Sequence, residues 1–159
     1  MRLIPFIVMI STSCAAGLTQ VDRVPRRTWL PCSVSHLATN ISDEVRPYVE
    51  EFAADAMKRE VSCYSVQNIS LGKRFKTGVA GYCIPRFTVV AASDYWEAAS
   101  DQERRTLIYH ELGHCALDLD HTKDEDIEIM NPYILPDSLA ISNWDQLVDN
   151  LFRGTEDED

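Results

Sequence analysis

Three of the chain's four histidines fall in one run, HELGHCALDLDH, from His110 to His121. On an α-helix, side chains four residues apart stand one turn apart on the same face. His110 and His114 therefore point the same way, and two imidazole nitrogens so placed can reach one zinc ion at about 2.0–2.1 Å. Glu111 directly follows the first of them. From there its carboxylate reaches a water held by the metal rather than the metal itself. Zinc brings the pKa of such a water near neutrality, and a carboxylate can take its proton. His-Glu-x-x-His thus places two ligands and a general base within one helical turn and a half. The bland alternative is a helix with two histidines on a polar face, since HExxH is short enough to arise by chance. Two residues compete to be the third ligand, Asp120 and His121.

The flanking sequence must supply the elements that hold this run. Ser100-Asp101-Gln102-Glu103 is a capping box, with a glutamate three residues after the cap. It predicts a helix from Arg104 to about Leu117 that carries the histidines. A second helical pattern starts at Ser42 and runs to about Glu60, with Val45, Val49, Phe52, Ala53 and Ala56 at helical spacing. Pro47 is tolerated in its first turn. Residues 62–71 and 78–93 read as extended, rich in β-branched and aromatic residues and broken by Gly and Pro. Residues 17–40 read as an irregular lead-in whose Trp29 docks onto the core, and residues 118–136 as loop. A last amphipathic helix, about Ser142 to Phe152, carries Trp144, Leu147, Val148 and Leu151. Trp96 reads as core, and the fourth histidine, His36, as an incidental surface residue. There is no internal repeat.

Composition bounds the class. A chain of 159 residues suggests one domain, long enough to bury a real core. Its 45% apolar and 25% charged content is that of an ordinary globular protein. A net charge of -10 argues against nucleic-acid binding, which needs Lys and Arg on phosphates. The N-terminus is an apolar run, Leu3 to Ile10, followed by small residues. That run is too short to span a bilayer and fits a secretory signal over residues 1–16. The small residues before Cys14 resemble a bacterial lipoprotein processing site, although Ser11 stands where that pattern prefers Leu. Lipidation of Cys14 would anchor the chain to a membrane, and cleavage after Ala16 is the rival. Residues 17–153 form the expected domain, and 154–159 an acidic tail. An exported, periplasmic or cell-surface monomer follows. Four cysteines then remain, and an even number in an exported chain suggests disulfides. The expected pairing is Cys63 with Cys83, on segments read as neighbours, leaving Cys115 with Cys32. The alternative for Cys115 is a small buried residue of its helix. The absence of a CxxC pair argues against a cysteine zinc finger.

The run resembles the active-site helix of the metzincin-type zinc metallopeptidases. Those enzymes carry HExxHxxGxxH and then a turn with a methionine beneath the metal. Ile127-Glu128-Ile129-Met130-Asn131-Pro132-Tyr133 looks like that turn, with Met130 as a hydrophobic base under the zinc. The resemblance covers roughly residues 87–133. The chain departs from it at two positions: Leu117 stands at the family's glycine, and Asp120 at its third histidine. A carboxylate ligand is chemically sound, and small secreted zinc proteases with aspartate there exist. The longer spacer also resembles small bacterial exported proteins reading HELGHC…H followed by IMN, which favours His121. In that group a small residue breaks the helix near Asp118, and aspartate tolerates left-handed backbone better than most residues. Asp120 then becomes a carboxylate that orients a histidine. By the same resemblance, Phe87 to Ala92 is the strand nearest the cleft, where extended peptide adds to a sheet edge. Tyr133 stands near where some relatives place an oxyanion-stabilising tyrosine, at a poorly matched offset.

The expected fold is α+β: a small mixed β-sheet, a backing helix, the active-site helix and a C-terminal helix. The expected function is zinc-dependent hydrolysis of peptide bonds in a peptide or protein substrate. His110, His114 and His121 hold Zn2+ and Glu111 activates water. The alternative is a non-catalytic exported lipoprotein with a structural zinc closed by a fourth protein ligand. The motif leaves open whether the scissile amide belongs to a protein or to cell-wall peptide.

Overall fold

A computed structural model of the chain describes residues 30–73 and 78–154. The expected signal with Cys14, the docking of Trp29 and the acidic tail beyond Gly154 lie outside the described residues. The architecture is α+β, as expected. Strand β1 (Leu30–Pro31) pairs antiparallel with β3 (Ser62–Cys63) in a short ribbon. A mixed four-stranded sheet is ordered β2 (Ala38–Ile41), β4 (Val66–Gly72), β6 (Thr88–Ala92), β5 (Gly81–Ile84). The first three strands are parallel, and β5 runs antiparallel to β6 with Gly81 opposite Ala91 and Cys83 opposite Val89.

Five helices complete the described residues: α1 (Val34–Leu37), α2 (Arg46–Lys58), α3 (Ser93–Ala98), α4 (Asp101–Leu117) and α5 (Asp137–Arg153). Helix α4 lies against β5 and β6, with α2 and α5 packed on it. Its start follows from sequence: Ser100 Oγ accepts the Glu103 N–H while the Glu103 carboxylate accepts the Ser100 N–H. The α4 residues Leu107, Ile108, Tyr109 and Leu112 are fully buried against Phe52 of α2 and Leu147, Leu151 and Phe152 of α5. Burial of such side chains stabilises by about 1.5–3 kcal/mol each. A polar chain joins the same helices: Tyr109 Oη donates to Asp55, and Arg59 donates to both Asp55 and Asp149. Trp96 is buried, as expected.

The structure corrects four expectations about the helices and strands. The lead-in is not irregular: it holds β1, α1 and β2, and β2 is an outer strand of the main sheet. Helix α2 begins at Arg46, after a turn, because Ser42 Oγ caps nothing and Pro47 fits the first turn. Helix α5 begins at Asp137, a turn and a half early. Its first turns expose Leu139 and Ile141 and so lack the apolar stripe that marks its later residues. The strand at the sheet edge is also different. Segment 88–92 is an interior strand, β6, and Phe87 is an exposed turn residue; the edge strand is β5.

The disulfides pair Cys32 with Cys63 and Cys83 with Cys115, in place of the expected pairing. The ribbon β1–β3 brings Leu30 opposite Cys63, so Cys32 is its neighbour. Cys63 and Cys83 lie in different sheets, whereas Cys83 on β5 faces the helix that carries Cys115. Two disulfides are consistent with an exported protein. No described helix is long and apolar enough to cross a membrane.

Candidate metal centre

Helix α4 sets two of the three histidines, and its end sets the third. His110 is fully buried and His114 nearly so. The helix stops at Asp118, which adopts left-handed backbone at φ 62°. Aspartate tolerates that conformation because its short polar side chain limits the Cβ cost. Both the Asp118 and Leu119 N–H groups then donate to the Gly113 carbonyl. The reversal turns the chain back, and three residues later His121 meets the helix face. Asp120 is exposed and stands outside the group.

The three Nε2 atoms form a triangle with sides of 3.0 Å (His110 to His114), 3.1 Å (His110 to His121) and 3.1 Å (His114 to His121). Backbone carbonyls fix the tautomers of two rings. His110 Nδ1 donates to the Ile129 carbonyl at 2.7 Å, and His114 Nδ1 to the Leu119 carbonyl at 2.6 Å. A carbonyl only accepts, so each Nδ1 carries the hydrogen and each neutral ring turns a bare Nε2 lone pair inward. Burial lowers the pKa of all three imidazoles and keeps them neutral, with the neighbouring histidines adding to the effect on His110. Converging lone pairs repel one another unless a cation sits among them. Donors of a tetrahedral zinc stand about 3.3–3.4 Å apart for bonds of about 2.0–2.1 Å, close to the spacing here. The donor set therefore fits one metal ion of the imidazole-binding kind.

Glu111 directly follows His110 on the same helix. It is fully buried, and neither carboxylate oxygen has a hydrogen-bond partner. Burial pushes its carboxyl up to about 8. The side chain occupies the space that glycine leaves on the edge strand: a Cβ at Gly81 would stand 2.9 Å from Glu111 Oε1. A buried carboxylate without a protein partner is costly, and such a group next in sequence to a candidate metal ligand makes this region a candidate functional site.

Met130 is buried on the other side of the helix residue Gly113, whose missing Cβ makes room for it. A Cβ there would overlap Met130 Sδ and come within 3.2 Å of Met130 Cε. In an ordinary helix interior Gly→Ala stabilises by up to about 1 kcal/mol. Here Gly113→Ala is expected to lower the stability of the metal-free chain by about 1–3 kcal/mol, the usual cost of overpacking. In a Met130→Ala background the same change should be neutral or stabilising. Thermal unfolding of the four chains checks this; a Gly113→Ala chain that melts higher than the parent would mean Met130 does not rest on the helix.

His36 is not part of the group. Its ring donates to the Cys63 carbonyl at 2.9 Å and so braces the ribbon rather than standing idle at the surface. Tyr133 is held through its N–H by Asn131 Oδ1. The sequence reading missed the two carbonyls that set the tautomers, the clearance at Gly81, and Asn131. Gly81 had a visible signal, a glycine inside an otherwise strand-like run, and Asn131 had one in its place in the Ile129-Met130-Asn131 match.

A family model described as "Putative phage metallopeptidase" matches residues 36–134, a span that includes β2, the sheet, α4 and the following loop. No curated protein and no solved structure matches the chain.

Proposed function

We propose that this chain, which belongs to the putative phage metallopeptidase family, is a zinc-dependent hydrolase of peptide bonds. Membership supports a metal-dependent peptidase. The identity of the metal and the roles of the residues are our reading. One observation carries it: three Nε2 atoms converge within 3.1 Å of one another, and the residue after the first histidine is a buried carboxylate with no protein partner.

In this reading His110, His114 and His121 hold the metal, and the Ile129 and Leu119 carbonyls keep the first two in the ligating tautomer. A bound zinc ion supplies Lewis acidity and makes water nucleophilic near neutral pH. Glu111 accepts the attacking water's proton on a carboxylate oxygen and returns it to the departing amine. Gly81 leaves the room in which that carboxylate sits. Met130 is the methionine under the site, and the turn around it corresponds to the metzincin Met-turn. Edge strand β5 gives an extended substrate backbone a place to pair. It replaces Phe87 to Ala92 in that role, since β6 already has a neighbour on each side. The structural-zinc alternative needs a fourth protein ligand. The group found among the described residues has three, which favours catalysis.

The test is activity against metal content. A purified chain should contain about one zinc, hydrolyse an unfolded protein substrate, lose that activity on chelation and regain it with about one equivalent of zinc. Activity that survives removal of the metal would sink the proposal. The same preparations tried on cell-wall peptides distinguish the two kinds of amide substrate.

A further inference from the structure

The loop that follows the metal helix is built around one side chain. Asn131 is 4% exposed. Its Nδ2 donates to the Asp126 carbonyl at 2.8 Å and the Asp124 carbonyl at 2.9 Å, with the Lys123 carbonyl at 3.4 Å. Its Oδ1 accepts the Tyr133 N–H at 2.8 Å. The Thr122 N–H donates to the Met130 carbonyl at 3.0 Å and closes the chain into a ring over residues 122–130. The amide fills the centre of that ring.

Both ends of the ring meet the histidine triangle. His121 directly precedes Thr122. The Ile129 carbonyl, two residues before Asn131, takes the Nδ1 hydrogen of His110. A single amide thus sets the approach of one histidine and the acceptor that orients another. No charged side chain could do this: carbonyls need a donor, and the Tyr133 N–H needs an acceptor, so a neutral amide serves both.

We propose that Asn131 is a positioning residue for the metal centre, acting on His121 and His110 through the 122–130 ring. The proposal rests on the reading of the three histidines as ligands. It is tested by zinc dissociation constants and by visible spectra of cobalt-substituted protein, for the parent chain and three variants. Asn131→Ala removes the hub, and Asn131→Ser keeps one donor. Asn150→Ala is the control, because Asn150 ties the same loop to α5 through Glu128 at 2.8 Å without reaching the carbonyls.

Asn131→Ala should bind zinc about 10–100-fold more weakly, the range seen when groups that orient a ligand are lost, and its cobalt spectrum should change. Asn131→Ser should fall between it and the parent, and Asn150→Ala should stay close to the parent in both readouts. Parent-like affinity and spectrum in Asn131→Ala would overturn the proposal, as would equal losses in Asn131→Ala and Asn150→Ala. If Asn131→Ala fails to fold with both disulfides formed and Asn131→Ser does not recover it, Asn131 determines the fold rather than the site, which also overturns it. A parent chain that binds no zinc defeats the ligand reading itself, a result separable from all of these.

Discussion

Glu111→Gln is expected to keep about one zinc per chain and to lower kcat for peptide hydrolysis by about 10²–10⁴-fold, the usual contribution of a positioned general base. The isosteric amide fills the same pocket against Gly81 but cannot take a proton. Metal content should hold because Glu111 is not a member of the histidine triangle. A second effect should accompany the first. The carboxylate is fully buried, neither oxygen has a protein hydrogen-bond partner, and burial pushes it up to about 8. The unfolded chain leaves the same group ionised at neutral pH, so folding costs a proton uptake or a buried charge. Glutamine removes that cost and leaves the smaller one of an unpaired amide. The metal-free Glu111→Gln chain should therefore be more stable by about 1–3 kcal/mol at neutral pH. Lost activity with gained stability is the signature of a group placed for chemistry against the interest of the fold. Parental activity would remove Glu111 as the base. A variant that is inactive and also less stable would mean that the carboxylate has a structural partner.

The candidate site was legible where its geometry is local. His110 and His114 stand one turn apart on one helix, so the helical period alone fixes their common face, and Glu111 is the next residue after the first of them. The capping box announced where that helix starts. Its end was legible through chemistry: Asp118 could take the left-handed turn that most residues resist. What could not be read was everything set by partners far along the chain. Strand β2 is four residues, Ala-Thr-Asn-Ile, with no strong alternation; it is a strand because β4, more than twenty residues later, pairs with it. The order of strands at the sheet edge depends on β5 turning back on β6, which its composition does not encode. The disulfides followed that order and so were misread with it. Helix α3 carries no capping side chain and is too short to show a period.

His121→Ala is expected to weaken zinc binding by more than about 100-fold, beyond the loss caused by disturbing groups that only orient ligands, and to abolish metal-dependent hydrolysis. Asp120→Ala should leave affinity within about tenfold of the parent. The argument lies in the turn. In the metzincin pattern a glycine breaks the helix three residues after the second histidine, and the third ligand follows three residues later. Here the break falls one residue further on, at Asp118, and the same three-residue step from it ends at His121 instead of Asp120. Set against the pattern it resembles, the break stands one residue later and the three-residue step from it to a histidine is the same. Asp120 consequently points into solvent, while His121 Nε2 stands 3.1 Å from both partners. Asp120 still lends negative potential to His114 and His121, so its removal should be felt as a modest loss of affinity. Zinc titrations of both variants decide the matter: loss in Asp120→Ala with retention in His121→Ala would move the third ligand to the carboxylate and would require the turn at Asp118 to rearrange when metal binds.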